Sequence, residues 1–177
     1  EALRNQKGFD AICLMPTNLY GPKDNYNLNE SHVMAALIRK FYEAKKNNTE
    51  TVTCWGSGAP LREFLHVDDL GEAVKFTLEK WNPTSSLESK SLNLPYLNVG
   101  TGIDITIKDL ANLIANKIGY EGKIVWDKSK PDGTPKKLLD INRILNLGWA
   151  PKINLNEGIE KTLLSYAEEI KEGTQRS

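Results

Sequence analysis

Apolar positions along the chain form two kinds of pattern, short continuous runs and longer stretches with helical spacing. The short runs have the length of β-strands and occupy residues 9–15, 51–55, 62–67, 96–99 and 123–127. Continuous apolar character, as at 9–15 and 96–99, is typical of parallel strands that are buried on both faces. Because strands and helical stretches alternate, the pattern predicts an α/β fold.

Helical spacing predicts a helix after most of these runs. The long helical stretches cover residues 29–44, 68–81, 106–119 and 155–170, and a shorter one lies within 138–149. The N-cap candidates have short polar side chains and are Asn29 or Ser31, Asp68 or Asp69, and Thr106. The first residues read as the last turns of a helix that Gly8 ends, so we expect an upstream portion of the protein before Glu1.

His32 lies at the start of the first long helical stretch. The apolar stripe of that helix is expected to face the core, whereas His32 shares the other face with the cations Arg39 and Lys40. Judged from this segment alone, a solvated histidine in the first turn is the simpler interpretation. The nearby cations would also suit an anionic ligand, so a functional role stays open here.

Composition narrows the function classes. The 177 residues suit one domain of ordinary size, and 23 basic residues balance 23 acidic ones, so neither a nucleic-acid partner nor disorder is indicated. No run is apolar and long enough to cross a membrane and no signal peptide is found, so we expect a cytoplasmic protein. Cys13 and Cys54 lie in strand-like runs, are expected to be buried free thiols, and form no metal motif.

Two loops carry chemical signals. PTNLYGP follows the strand at 9–15, and ligands bind at the carboxyl ends of strands in open α/β sheets. WGSGAPLREFLHVDD places a tryptophan, a flexible Gly-Ser-Gly turn and an arginine in a row, a set that could stack on a base and bind a phosphate.

These and further segments resemble a known family. PTNLYGP, SHV…ALIRKF, WGSG.P.REFLHVDDL, NVGTG.D.TI, KPDGTP.KLLD and LGW are similar to the C-terminal half of the GDP-L-fucose synthases, which are extended short-chain dehydrogenase/reductases. The match runs from about Phe9 to Tyr166, and SHV…ALIRKF with KPDGTP.KLLD is its most specific part. The resemblance implies an enzyme that epimerises GDP-4-keto-6-deoxy-mannose at C3 and C5 and then reduces it at C4 with NADPH. It also implies that the enzyme is a homodimer.

The resemblance also implies an architecture. Residues 1–15 and 68–100 would supply the last strands and helices of a Rossmann-type NADP(H)-binding domain. Residues 16–67 and 101–177 would form a small α/β lobe that binds the GDP-sugar substrate. The N-terminal half of the enzyme would carry the glycine-rich loop, the catalytic cysteine and the Tyr/Lys pair, because this chain has no glycine-rich dinucleotide fingerprint.

Site residues carry over from the family by position. His32 matches the histidine that works opposite a cysteine in epimerisation and also contacts the nicotinamide. Cofactor contacts would further come from Pro16, Thr17, Asn18 and Leu19. Substrate contacts would come from Asn18, Val33, Lys40, Trp55, Arg62, Asp132 and Lys137. The family usually has arginine at the Lys40 position, so we expect a less directional phosphate contact there.

Two other hypotheses stay open on the sequence alone. The chain could belong to another sugar-nucleotide epimerase or dehydratase of the same superfamily, in which a different nucleotide binds and His32 is silent. It could also be a binding module without catalysis, which only the short chain supports.

Overall fold

The computed structural model describes residues 2–28, 30–83 and 96–176, and it confirms the α/β fold. The helices are α1 Ala2–Lys7, α2 Val33–Lys46, α3 Val67–Lys80, α4 Ile107–Ile118, α5 Asn142–Asn146 and α6 Leu155–Glu172. The strands are β1 Cys13–Pro16, β2 Asn18–Tyr20, β3 Thr51–Trp55, β4 Leu61–His66, β5 Tyr96–Val99, β6 Asp104–Thr106, β7 Lys123–Asp127 and β8 Lys136–Lys137.

Three small sheets carry these strands. β1 pairs in parallel with β5, and β3 pairs in parallel with β7. In the third sheet, β4 is central: β2 and β8 run parallel to it and β6 runs antiparallel. Because β4 pairs with three strands, it positions segments that are far apart in sequence.

Two hydrophobic clusters hold the layers together. The larger one packs α2, α4 and α6 together through fully buried residues such as Phe41, Ile114 and Ile159. The smaller one joins β4, α3 and β5 through Leu65, Ala73 and Val99, and adds α5 through Ile144. None of the helices in the described ranges has the length and apolar character needed to span a bilayer.

Helix starts differ from the sequence expectation at two places. α2 begins one residue after His32, which is its N-cap, and Ser31 lies outside the helix; the other candidate, Asn29, lies outside the described residues. α3 is capped by His66, whose Nδ1 accepts a hydrogen bond from the Asp68 N–H at 3.2 Å. Thr106 caps α4 as predicted, accepting from the Asp109 N–H at 3.0 Å.

The first strand also differs from expectation. It covers only Cys13–Pro16, and its residues are largely exposed, with Met15 54% exposed. The expectation that Cys13 is a buried thiol is therefore wrong, whereas Cys54 is buried as expected. β1 has β5 as its neighbour on one edge, so the continuous apolar run at 9–15 is left without the cover that its pattern predicts.

His66 gives the fold a pH-dependent stability. Burial lowers the pKa of His66 below its usual 6.5, and this outweighs the opposing attraction of the Asp68 carboxylate, 3.5 Å from Nδ1. The side chain is buried, and because Nδ1 accepts the Asp68 N–H, the neutral ring carries its hydrogen on Nε2, which has no hydrogen-bond partner among the described residues. The proton that charges the ring must therefore bind Nδ1, where it would replace the cap hydrogen bond.

We expect the free energy of unfolding to be undiminished above about pH 6.5 and to fall below it, because the unfolded chain then binds a proton that the folded chain resists. His66→Asn retains a short polar cap and cannot titrate, so its stability should depend less on pH between 5.5 and 7.5, by up to roughly 1.4 kcal/mol per pH unit. Urea unfolding of both proteins across this range measures the difference. Parallel curves would contradict the assignment to His66.

Candidate active site

A cleft of about 760 Å³ lies at the carboxyl ends of β1 and β2. Its walls come from residues 16–25 and 136–139, together with His32, Val67 and Arg176. The cleft therefore brings together six of the sequence-predicted site residues, Pro16, Thr17, Asn18, Leu19, His32 and Lys137.

The segment from Pro16 to Leu19 crosses from one sheet to the next. The Thr17 N–H donates to the Val99 carbonyl at 3.0 Å, which ties the segment to the β1–β5 sheet. The Asn18 side-chain amide donates to the Glu63 carbonyl at 2.7 Å, and the Thr17 hydroxyl donates to the same oxygen at 3.3 Å. The backbone of this wall is thus fixed on both sides before any ligand binds.

His32 stands at the N-terminus of α2 with an exposed side chain. Its backbone is extended, its carbonyl accepts from the Ala36 N–H at 3.0 Å, and its imidazole makes no cap hydrogen bond. The ring is therefore free of helix capping and lines the cleft. Val33, the next residue, packs instead against the larger hydrophobic cluster, so the structure does not place it in the cleft.

A second part of the predicted site is the exposed ring of Trp55, at the end of β3, with the predicted Lys40 beside it. The ammonium groups of Lys40 and Lys130 each lie 5.5 Å from the centre of the indole. Lys40 also donates to the Thr53 carbonyl at 3.2 Å, which holds its side chain along β3. Two cations beside an aromatic face form a surface that suits an anion next to a planar ring.

Asp132 lies beside the Gly-Ser-Gly turn that follows Trp55. Its carboxylate accepts from the Ser57 N–H at 2.6 Å and from the Ser57 hydroxyl at 2.7 Å. These two hydrogen bonds lower the pKa of Asp132. The carboxylate approaches Gly56 so closely that an added Cβ there would lie 2.3 Å from Oδ1, which explains the glycine. Asp132 thus shapes the turn beside Trp55.

Arg62 connects the two groups. In the pairing of β4 with β8 it stands opposite Lys137, which lines the cleft. The Arg62 guanidinium donates to the neighbouring Leu61 carbonyl at 2.7 Å. Arg62 and Lys137 are therefore adjacent positive positions, and the Arg62 guanidinium also lies 3.6 Å from a Cβ built on Gly133, next to Asp132.

Several residues of this region were missed by the sequence analysis. Lys130 stands over Trp55, and Asp24 and Arg176 line the cleft with His32. Burial raises the pKa of Asp24, opposed by a backbone hydrogen bond from Asn25 and then by His32 and Arg176. The Tyr26 N–H donates to the Arg176 carbonyl at 2.9 Å and fixes the tail beside the cleft.

One Tyr-x-x-x-Lys spacing occurs in the chain, at Tyr42 and Lys46 of α2. Tyr42 packs edge-on against Tyr166 with ring centres 5.3 Å apart, and both Tyr42 and Lys46 line a separate cavity of about 390 Å³. This spacing is therefore a packing feature of α2. In the described ranges no group of three or more His, Cys, Asp or Glu side chains is arranged to hold a metal ion.

The fold and the cleft define a class of protein. A family model described as the NAD dependent epimerase/dehydratase family matches residues 1–92, and the chain belongs to this family. Within it, the chain is 51% identical over 170 residues to a probable GDP-L-fucose synthase 1 of Oryza sativa subsp. japonica, covering 96% of this chain and 49% of that protein. It is 47% identical over 172 residues to the GDP-L-fucose synthase of Escherichia coli strain K12, covering 95% and 52%.

A solved structure of another protein is also similar to this chain. The NADP-bound crystal structure of a GDP-L-fucose synthetase from Naegleria fowleri superposes with a TM-score of 0.83 and 28% identity over 99% of this chain. The match covers 52% of that chain. The chain thus spans about half the length of the curated and solved relatives that it matches.

Proposed function

We propose that this chain is the C-terminal part of a GDP-L-fucose synthase. The complete enzyme would convert GDP-4-keto-6-deoxy-D-mannose to GDP-L-fucose by epimerisation at C3 and C5 and NADPH-dependent reduction at C4. The observation that carries the proposal is the convergence of Pro16–Leu19, His32 and Lys137 in one cleft, beside the cationic surface around Trp55. The strong similarity to synthases of this name over nearly the whole chain supports it.

We assign the cofactor and the substrate to different residues in and beside the cleft. NADPH, when bound, supplies the hydride for C4, and the fixed segment Pro16–Leu19 together with His32 would contact its nicotinamide end. The GDP-sugar would lie toward Lys137, Arg62 and Trp55, where cations can balance a diphosphate and the indole offers a flat face. Asn18, between the two places, is assigned to both ligands. Lys40 is assigned to the phosphates and Asp132 to the substrate. The predicted substrate contact of Val33 is not kept, because Val33 packs against the larger hydrophobic cluster.

Proton transfer is the task we assign to His32. Inversion at C3 or C5 needs one group to remove a proton and another to deliver one from the opposite face of the sugar. An imidazole that is exposed, uncapped and in the cleft can approach one face. The opposing group, the glycine-rich loop and the Tyr/Lys pair are assigned to an N-terminal half joined to this chain.

The arrangement of lobes is part of the same proposal. Residues 1–15 and 68–100 would belong to the Rossmann domain, and 16–67 with 101–177 to the substrate lobe. The larger hydrophobic cluster lies wholly within the proposed substrate lobe and supports the division. The smaller cluster spans both parts, since it joins Ala73 and Val99 to Leu65, Ile141, Ile144 and Trp149. The homodimer, which is the family expectation, and the cytoplasmic location are part of the proposal, and sedimentation of the complete enzyme tests the dimer.

Nucleotide choice tests the proposal against the other sugar-nucleotide enzymes of the superfamily. In the complete enzyme, GDP should slow hydrogen exchange in the loops that contain Ser57 and Asp132, whereas UDP should do so weakly. Arg62→Ala should weaken GDP binding by about 1.5–3 kcal/mol, the typical contribution of a hydrogen bond to a charged group. Lys75→Ala, which removes an exposed cation of α3, is the matched control and should bind GDP normally. Equal protection by GDP and UDP would favour a different nucleotide-sugar substrate.

A further inference from the structure

Glu63 is a fully buried carboxylate at the centre of β4. One oxygen, Oε1, accepts from the N–H groups of Thr101 at 2.6 Å and Gly102 at 2.7 Å. The other oxygen, Oε2, accepts from the Leu139 N–H at 2.9 Å. In the described ranges its partners are these backbone groups and the Thr101 hydroxyl, not a cation, so the charge is held by oriented N–H groups and one hydroxyl.

The fit around this carboxylate is close. A Cβ added to Gly100 would lie 2.2 Å from Oε1, so the loop of residues 100–102 wraps directly onto Glu63. A buried charge has a high cost unless each oxygen is hydrogen-bonded, and here both are. The carboxylate thus joins two loops that are far apart in sequence, that of Thr101 and Gly102 and that of Leu139.

The second of these loops carries Lys137. On one side of Lys137, the Leu61 N–H donates to the Pro135 carbonyl at 2.8 Å. On the other side, the Leu139 N–H donates to Glu63 Oε2 at 2.9 Å. Lys137 therefore lies between two fixed points, at the end of a strand that has only two residues.

The two lysines of β8 differ in their ion pairing. Lys136 forms an ion pair with Asp104 at 3.0 Å, whereas none of the ion pairs within the described part of the chain involves Lys137. Lys137 lines the same cleft as the segment Pro16–Leu19. Lys136 lines the cleft as well, but its ammonium is paired with Asp104, so the Lys137 ammonium is the charge of β8 that we assign to a ligand.

We propose that Glu63 is a positioning residue that holds Lys137 in place to bind the diphosphate of the nucleotide-sugar. This inference rests on the proposed function and adds to it a specific coupling between a buried carboxylate and a cleft cation. The carboxylate acts through the Leu139 N–H, and this hydrogen bond fixes the backbone just beyond Lys137. Glu63 itself does not contact the substrate.

Glu63→Gln is the test variant because it keeps the size of the side chain and changes one oxygen to an N–H₂ donor. Whichever way the amide turns, a donor then faces a backbone N–H, at either the Thr101 and Gly102 groups or the Leu139 group. We expect the Kd for GDP in the complete enzyme to rise about tenfold, and Lys137→Ala to raise it by a similar factor. Calorimetric titration with GDP measures both.

The double variant decides whether the two residues act together. If Glu63 acts through Lys137, the double variant should bind GDP no more weakly than Lys137→Ala alone, because the cation to be positioned is gone. If the Kd of the double variant instead rises by the product of the two single effects, roughly a hundredfold in total, the two residues act independently. That result would overturn the coupling while leaving the proposed function intact. A Lys137→Ala variant with normal GDP binding would overturn both the coupling and the assigned diphosphate site.

A measurement on the unmodified protein covers the case in which Glu63→Gln fails to fold. The Leu139 amide should exchange with deuterium slowly even without GDP, since its hydrogen is bound to a buried carboxylate, although the preceding residues 131–138 are exposed. Fast exchange at Leu139, at the rate of the exposed residues 131–134 that precede β8, would remove the basis of the proposal.

Discussion

His32→Gln in the complete enzyme should remove most of the solvent deuterium exchange at C3 and C5 of the 4-keto sugar. General acid–base catalysis typically contributes about 10²–10⁴-fold, and glutamine keeps a polar side chain in the cleft but cannot transfer a proton at neutral pH. Ketone reduction uses NADPH and the assigned upstream groups, so the variant should still reduce substrate slowly and produce the wrong stereoisomer. Proton NMR of the reaction in deuterium oxide follows both events in one sample.

The position of His32 supplies a clean control for this variant. Because its side chain makes no cap hydrogen bond to α2, the substitution should change the free energy of unfolding by less than about 0.5 kcal/mol. Lost exchange with unchanged stability would assign the effect to chemistry. Exchange at the wild-type rate would show that His32 is an N-cap residue without a role in epimerisation.

Long helices were well predicted from sequence, but the first residues of α2 and α3 were not. The apolar stripe of α2 is buried as expected through Leu37 and Phe41, because periodic burial contributes several kcal/mol per helix. A cap contributes only about 1 kcal/mol, so tertiary contacts can override the preference for Asp at α3. There the buried His66 ring accepts from the Asp68 N–H and replaces Asp68 as the cap.

The shortest strands could not be predicted, because they form only by pairing with a strand that is distant in sequence. β6 and β8 lack an apolar run of their own and are strands only because β4 presents its edges to them. Strand β4 itself was predicted, and its buried Glu63 interrupts an otherwise apolar face. That interruption was the available signal for the polar network around Thr101 and Leu139, and it was not used.

The candidate site could also be predicted only in part. Nothing in the spacing of Pro16–Leu19, His32 and Lys137 indicates that they meet, since they are separated by more than a hundred residues in all. Their assignment to one site is a prediction from the resemblance to a family, and the cleft shows that they are neighbours. Lys130 and Arg176 lie in turn-rich or terminal segments, where sequence gives little indication of side-chain direction.

The two cysteines offer a second experiment with a large expected effect. Cys13 is exposed on β1, whereas Cys54 is buried in β3 and burial raises the pKa of its thiol. In the 177-residue chain alone, iodoacetamide should therefore modify Cys13 at least about a hundredfold faster than Cys54, because a buried thiol reacts only when the structure opens. Mass spectrometry of the labelled peptides measures both rates in the same molecules.

Joining the chain to the proposed N-terminal half should reverse the result for Cys13. The apolar run at 9–15 has the pattern of a strand covered on both faces, so a completed Rossmann sheet should bury β1 and slow labelling of Cys13 by a similar factor. Cys54 lies in the separate sheet formed by β3 and β7, so its slow rate of labelling should stay the same. Cys54 is therefore the internal control. If Cys13 stays reactive in the joined protein while Cys54 stays protected, the N-terminal half does not pack on β1, and the proposed division between Rossmann domain and substrate lobe is wrong.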